Sequence, residues 1–246
     1  MPQPLYKASP GSQLIFGPTM LESRTHLASM IGQGISVWAY TETNWGNILA
    51  AIMHVDSSAA MRMYAAVEGF HNQRQMVRAV ARSNLSGSDL EAFEDTFDAV
   101  NQSAKQRHRF AHWIWGVSEN LPNDLLLMEP KEYWRLHGAM YDFERDNDVD
   151  SPSFVSNFPT FDRKKILVYT EKDITGVVRD MHTAYSLTKV LRDLLSTEPG
   201  QRHDHIYRRL YAFDRIRAAA CKRLRHTAAL EGFTALPEPR QASDVY

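Results

Sequence analysis

Residues 88–116 read Ser88-Asp-Leu-Glu-Ala-Phe-Glu-Asp-Thr-Phe-Asp-Ala-Val-Asn-Gln-Ser-Ala-Lys-Gln-Arg-His-Arg-Phe-Ala-His-Trp-Ile-Trp-Gly116. Ser88 and Glu91 have the spacing of a capping box, in which each side chain accepts a free amide at the start of a helix. Leu90, Phe93, Phe97, Val100 and Ala104 then recur at alternating steps of three and four, the period of one helix face. The pattern predicts a long helix that ends near Gly116. Continued, the same stripe reaches Arg107 and Ala111, so a fully ionised side chain falls on the apolar seam. That is the sharpest anomaly in the chain.

The segments on either side also read as helices. Pro18 suits the first turn of a helix running through Trp38, with Leu21, Leu27, Met30, Ile31, Ile35 and Trp38 near helical spacing. A second stretch spans Asn47 to Met53. Asp56-Ser57-Ser58 caps a third, which runs to about Arg82 on Met63, Val67, Phe70, Val77 and Val80. Downstream, residues 117–169 hold Pro122, Pro130, Pro152 and Pro159, an acidic run over 142–150, and two β-like runs, Leu125–Met128 and Lys165–Tyr169. The two runs are expected to pair as a small antiparallel ribbon. Thr170-Glu-Lys-Asp173 caps a further helix carrying Ile174, Val177, Val178, Met181, Tyr185, Thr188 and Leu191, ended by Thr197-Glu-Pro-Gly200. The expected fold class is therefore all-α: a helical bundle over residues 19–196 with a β-ribbon excursion at 117–169. An irregular, proline-rich arm (1–18) precedes it, and a basic C-terminal helix and tail (197–246) follows.

The 246 residues are 43% apolar and 23% charged, enough for one sizeable core. With 28 Lys+Arg against 29 Asp+Glu the chain carries −1, which disfavours a globally basic coat. Residues 201–226 differ: eight Lys/Arg against Asp204 and Asp214 leave +6, with Tyr207 and Tyr211 interleaved, a pattern suited to a phosphate backbone. The plainer reading is a docked helix with a solvated charged face. Cys221 is the single cysteine, which rules out an intrachain disulfide and fits a reducing compartment. The longest apolar run, around Ile48–Met53, falls far short of the roughly 20 residues that span a bilayer. Met1-Pro-Gln-Pro-Leu-Tyr-Lys7 lacks the basic-then-apolar form of a secretory signal, so a cytoplasmic protein without a membrane partner is expected.

Arg107, a polar His108, three residues and then His112 form a motif on the predicted helix. In this the sequence resembles the higher-eukaryote and prokaryote nucleotide-binding (HEPN) superfamily, whose ribonuclease members carry Arg, a polar residue, three residues and His on a helix of an all-α bundle. Arg-His-Arg-Phe-Ala-His-Trp-Ile-Trp-Gly over 107–116 is similar to a bacterial branch that reads Arg-Asn-x-x-Ala-His-Gly-x-Trp-Gly. It departs from that branch at His108, where the branch has Asn, and at Trp113, where it has Gly. The resemblance implies a homodimer with a composite site, RNA as substrate, no cofactor, and often a toxin or defence role with a cognate protein partner or antitoxin.

Elementary chemistry agrees with that implication. RNA cleavage without a metal needs a base for the 2′-hydroxyl, an acid for the leaving 5′-oxygen and cations for the phosphorane. Histidine titrates in the right range, and arginine presents a fork of donors that matches phosphate. His112 is thus the candidate acid/base, Arg107 the phosphate holder and His108 the orienting group. A twofold dimer would duplicate each of them in one cleft. The negative end of the helix dipole is expected to favour protonated His112. On a straight helix Arg107 and His112 lie about 140° and 7.5 Å apart, whereas His108 and His112 share a face. Lys105, Arg109, Arg208, Arg209, Arg215 and Lys222 are candidate nucleic-acid contacts. Two alternatives stay open: a non-catalytic HEPN-like dimer that binds nucleotide, RNA or a protein, or Arg107 as a buried ion-pair partner beside surface histidines. Trp113 and Trp115 read as core or interface anchors. His203-Asp204-His205 lacks a third metal ligand. Gly32-Gln33-Gly34 lacks the preceding strand and third glycine of a dinucleotide loop. His54, His71 and His182 are isolated, and Glu42 beside Trp45 has no local support for a role.

Overall fold

Local capping chemistry sets two of the helix starts in the computed structural model, which describes residues 2–9, 11, 13–147, 158–197 and 204–230, the side chains of 228–230 excepted. Residues 148–157, 198–203 and 231–246, including His203 and much of the expected C-terminal tail, lie outside the described residues. The helices are α1 (Leu5–Ala8), α2 (Thr25–Met53), α3 (Ser57–Ala66), α4 (Phe70–Asn84), α5 (Gly87–His112), α6 (Pro130–Asp146), α7 (Glu171–Ser196), α8 (Asp204–Tyr211) and α9 (Asp214–Leu230). Asp56 Oδ1 accepts the Ser58 and Ala59 amides at 2.8 and 3.3 Å and starts α3. Before α7, Thr170 donates its hydroxyl to Asp173 at 2.8 Å while its Oγ1 accepts the Asp173 amide at 3.2 Å, a reciprocal box. The chain is mostly helical with a small antiparallel sheet.

Several boundaries differ from expectation. The helices predicted to end at Trp38 and to restart at Asn47 are one helix, α2, because the polar residues between them face outward or, like Asn44, find a partner. Asn44 donates to Thr188 Oγ1 at 3.1 Å. The helix expected over 57–82 is broken into α3 and α4 around Gly69, whose φ of +79° is a backbone state open to glycine. Ser88 and Glu91 do not cap α5. That helix starts at Gly87, Ser88 Oγ lies 3.2 Å from Tyr207 Oη, and Glu91 pairs with Arg223 at 3.2 Å.

The chain divides into two compact units. The first comprises residues 1–39 and 103–183, the second 40–102 and 184–246, so the division does not follow the expected boundaries at 18 and 196. In the first unit five strands, β1 (Gln3–Pro4), β2 (Ile15–Phe16), β3 (Ile114–Val117), β4 (Leu125–Met128) and β5 (Ile166–Tyr169), form one antiparallel sheet in the order β1-β5-β4-β3-β2. The expected ribbon is its centre, with Leu125 opposite Tyr169 and Met128 opposite Ile166. The arm expected to be irregular instead supplies both edge strands. Prolines are tolerated at edges, where one side of the backbone needs no ladder partner. Leu5, Leu126, Met128, Ile166 and Val168 form the core on one face of the sheet, with Phe16, Tyr133 and Phe161 packed on it.

α6 occupies part of what read as a loop excursion. Pro130 is its first-turn proline, and its buried residues are Leu136 and Glu132. Glu132 is 1% exposed. Its carboxylate accepts from Arg135 at 2.6 and 3.0 Å, from Lys165 at 3.1 Å and from the Asp162 amide at 3.0 Å.

The second unit is helical. Trp45, fully buried on α2, meets Phe93 and Phe97 of α5 edge-on at ring distances of 5.8 and 5.7 Å. These are the stripe residues from which the fold was read.

Candidate functional site

The motif sits at the C-terminal end of α5, in the first unit. One side of this segment is docked. Ser103 donates to the Asp180 carbonyl at 3.2 Å, Gln106 accepts from Tyr169 Oη at 3.1 Å, and buried Phe110 meets the rings of Trp115 and Tyr169 at 5.4 Å each. Lys105, His108 and His112 are all exposed, and their spacing of three and four places them on one face of the helix.

α5 ends at His112 rather than near Gly116 because β3 competes for the residues that follow. Ile114, Trp115 and Gly116 pair with Met128, Leu127 and Leu126. Trp115 Nε1 donates to the Phe110 carbonyl at 3.3 Å, satisfying one of the acceptors that a helix end leaves open. Gly116 is required at this point. A Cβ there would lie 2.5 Å from the Phe16 ring and 2.7 Å from the Ile15 carbonyl oxygen.

His108 and His112 stack at a ring-centroid distance of 4.8 Å and an angle of 46°, as their four-residue spacing predicts. The charge state of His112 runs against the dipole expectation. Partial desolvation of the ring, then the positive potentials of His108 and Arg107, hold its pKa below the ordinary 6.5. The shift favours the neutral imidazole. Arg107 is half-buried, and its charge acts on His112 despite the angular separation along the helix.

The other candidates are divided between the two units. The Arg109 guanidinium lies over the Trp113 ring at 5.0 Å and acts electrostatically on Tyr169, whose own pKa is raised chiefly by burial. It acts as a strut between the helix end and β5. Arg208, Arg209, Arg215 and Lys222 belong to the second unit, where the predicted single basic helix is two helices joined at Ala212–Phe213. Arg208, Arg209 and Lys222 are exposed and Arg215 is half-buried. Tyr207 and Tyr211, which read as interleaved aromatics for nucleic acid, donate to Asp89 and, at 3.1 Å, to Asp95 of α5. Arg223 donates to both Asp95 oxygens at 3.0 and 3.3 Å. Asp95 is 2% exposed, so this part of the basic segment is an internal electrostatic joint.

Sequence reasoning missed Tyr169, Gln106 and Glu132 as positioning groups. Only Tyr169 carried a signal, as the last residue of a recognised strand. Among the described residues no group of three or more His, Cys, Asp or Glu is arranged to hold a metal. Gly34, part of the dismissed glycine pair, lies inside α2 and serves packing: a Cβ there would lie 3.0 Å from Met181 and 3.2 Å from Val178 of α7. No helix among the described residues is long and apolar enough to cross a membrane. Comparisons with protein-family models, characterised proteins and solved structures each find no match.

Proposed function

We propose that the chain is a HEPN-like, metal-independent endoribonuclease that works as a homodimer. The observation that carries this reading is the exposed His108–His112 stack at the end of α5, with His112 shifted toward its neutral form and the Arg107 charge beside it. Neutral His112 takes the proton from a ribose 2′-hydroxyl. The 2′-oxygen attacks the adjacent phosphorus, the P–O5′ bond breaks, and the products are a 2′,3′-cyclic phosphate and a 5′-hydroxyl. Arg107 neutralises charge on the phosphorane, and His108 orients His112 or polarises the phosphate. The leaving 5′-oxygen takes its proton from a second, protonated His112, because His108 is assigned to orienting the first. A twofold axis at this surface supplies the second copy. A toxin or defence role, with a cognate protein partner, follows by analogy with the resembled superfamily alone.

The competing reading is a non-catalytic helical dimer that binds nucleotide, RNA or a protein. The test is cleavage of labelled RNA in excess chelator by the wild type, Arg107→Ala and His112→Ala, with solution mass measured on the same samples. Wild-type cleavage lost in both variants, by a protein of dimer mass, supports the proposal. Equal cleavage by all three, or none by the wild type, ends it.

A further inference from the structure

A groove in the second unit, about 440 Å3, is lined by Tyr185, Ser186, Lys189 and Val190 of α7 and by Arg209, Ala212 and Phe213 at the α8–α9 corner. Its volume falls within the range of about 300–1,000 Å3 usual for small-ligand sites. Three features set it apart. Its lining is mainly apolar, with two aromatic side chains. Tyr185 also meets the ring of Tyr40 at 6.2 Å, and Tyr40 is itself 62% exposed. Finally, Lys189 and Arg209 are exposed and form no ion pair with any described residue.

We propose that this groove binds one nucleotide of a single-stranded nucleic acid, its base against Tyr185 and Phe213 and its phosphate on Lys189 and Arg209. The ligand must offer a flat apolar surface and an anion within a few ångströms of each other, and a nucleotide joins the two covalently. Aromatic platforms flanked by cations are the usual means of holding single strands, because every base has a π-face. A duplex keeps its bases stacked on one another and presents no free face to the groove. A flexible acidic peptide would use the cations and leave the rings uncovered. The inference does not need cleavage and rests on residues of the second unit alone.

The test is fluorescence anisotropy of fluorescein-labelled decauridylate with the full chain, carrying His112→Ala so that the probe stays intact, in excess chelator. Lys189→Ala/Arg209→Ala is expected to weaken binding and to lower the slope of log K against log salt by about 0.7, the value for one lost phosphate contact on a single strand. Tyr185→Leu is expected to weaken binding by about 5- to 100-fold, while Tyr185→Phe, which keeps the ring, retains it. Thermal melts of all variants verify folding. Unchanged affinity and slope in the double variant, or wild-type binding by a folded Tyr185→Leu, overturns the proposal. So does displacement of the probe by polyglutamate or inorganic polyphosphate as readily as by unlabelled decauridylate, which would mark a plain anion site. Because the groove variants leave Arg107 and His108 in place, their failure to change binding leaves the cleavage reading standing, and loss of cleavage in Arg107→Ala leaves the groove reading standing.

Discussion

Replacing Glu132 by Gln tests how α6 is fastened to the first unit. The carboxylate is fully buried, and the Arg135 hydrogen bond, aided by the Asp162 amide and Lys165, lowers its pKa from 4.5 to about 2. Because the folded-state pKa lies below the unfolded one, its contribution is fully present above pH 4.5 and is lost as pH falls through about 2. At about 1.4 kcal/mol per pKa unit the shift corresponds to about 3 kcal/mol at pH 7. Arg135 and Lys165 are about half exposed, and solvent screening of these partners brings the figure nearer 2 kcal/mol. Glu132→Gln is thus expected to cost about 2 kcal/mol in urea unfolding at pH 7, followed by circular dichroism. By pH 3 the difference from wild type should fall by more than half, since the wild-type carboxylate then lies only about one unit above its folded pKa. A gap that stays constant between pH 7 and pH 3 would refute the electrostatic account and leave only a change of shape.

Three further outcomes follow from the geometry. The histidine titration of His112, read by NMR, should have its midpoint below 6.5 and move upward in His108→Ala, because the His108 charge is one of the causes of the depression; an unmoved midpoint would remove His108 from the site. Gly116→Ala forces a Cβ onto the Phe16 ring and the Ile15 carbonyl oxygen, so it should cost about 1–3 kcal/mol and speed amide exchange at Phe16 and Gly17 before other strands are affected. Arg223→Met takes the cation from buried Asp95, and thermal melting should show a loss that Asp95→Asn in the same chain partly restores; no rescue would mean that the pair contributes packing only.

The sequence made legible what rests on local periodicity and caps. Phe93 and Phe97 do face Trp45, Leu125–Met128 does pair with Ile166–Tyr169, and His108 does stack on His112. What escaped depends on partners far along the chain. Pro4 and Phe16 look like loop residues until β5 and β3 offer edges to pair with. Glu132 gives no hint of burial, because two of its three partners, Lys165 and the Asp162 amide, lie some thirty residues away. The charge of the basic segment was countable, but the pairing of Arg223 with Glu91 and Asp95 was not. At the site, the dipole argument gave the wrong sign for His112 because it counted one helix end and omitted two neighbouring cations and desolvation.

The central claim is that His112 and Arg107 cleave RNA through its own 2′-hydroxyl. The most direct measurement is mass spectrometry of the products formed from a defined RNA in excess chelator, beside the same RNA with a single 2′-deoxy substitution at the mapped cut. The account predicts a 2′,3′-cyclic phosphate end from the first and no cut at the substituted position of the second. A 5′-phosphate product, or cleavage that survives the 2′-deoxy substitution, would contradict it.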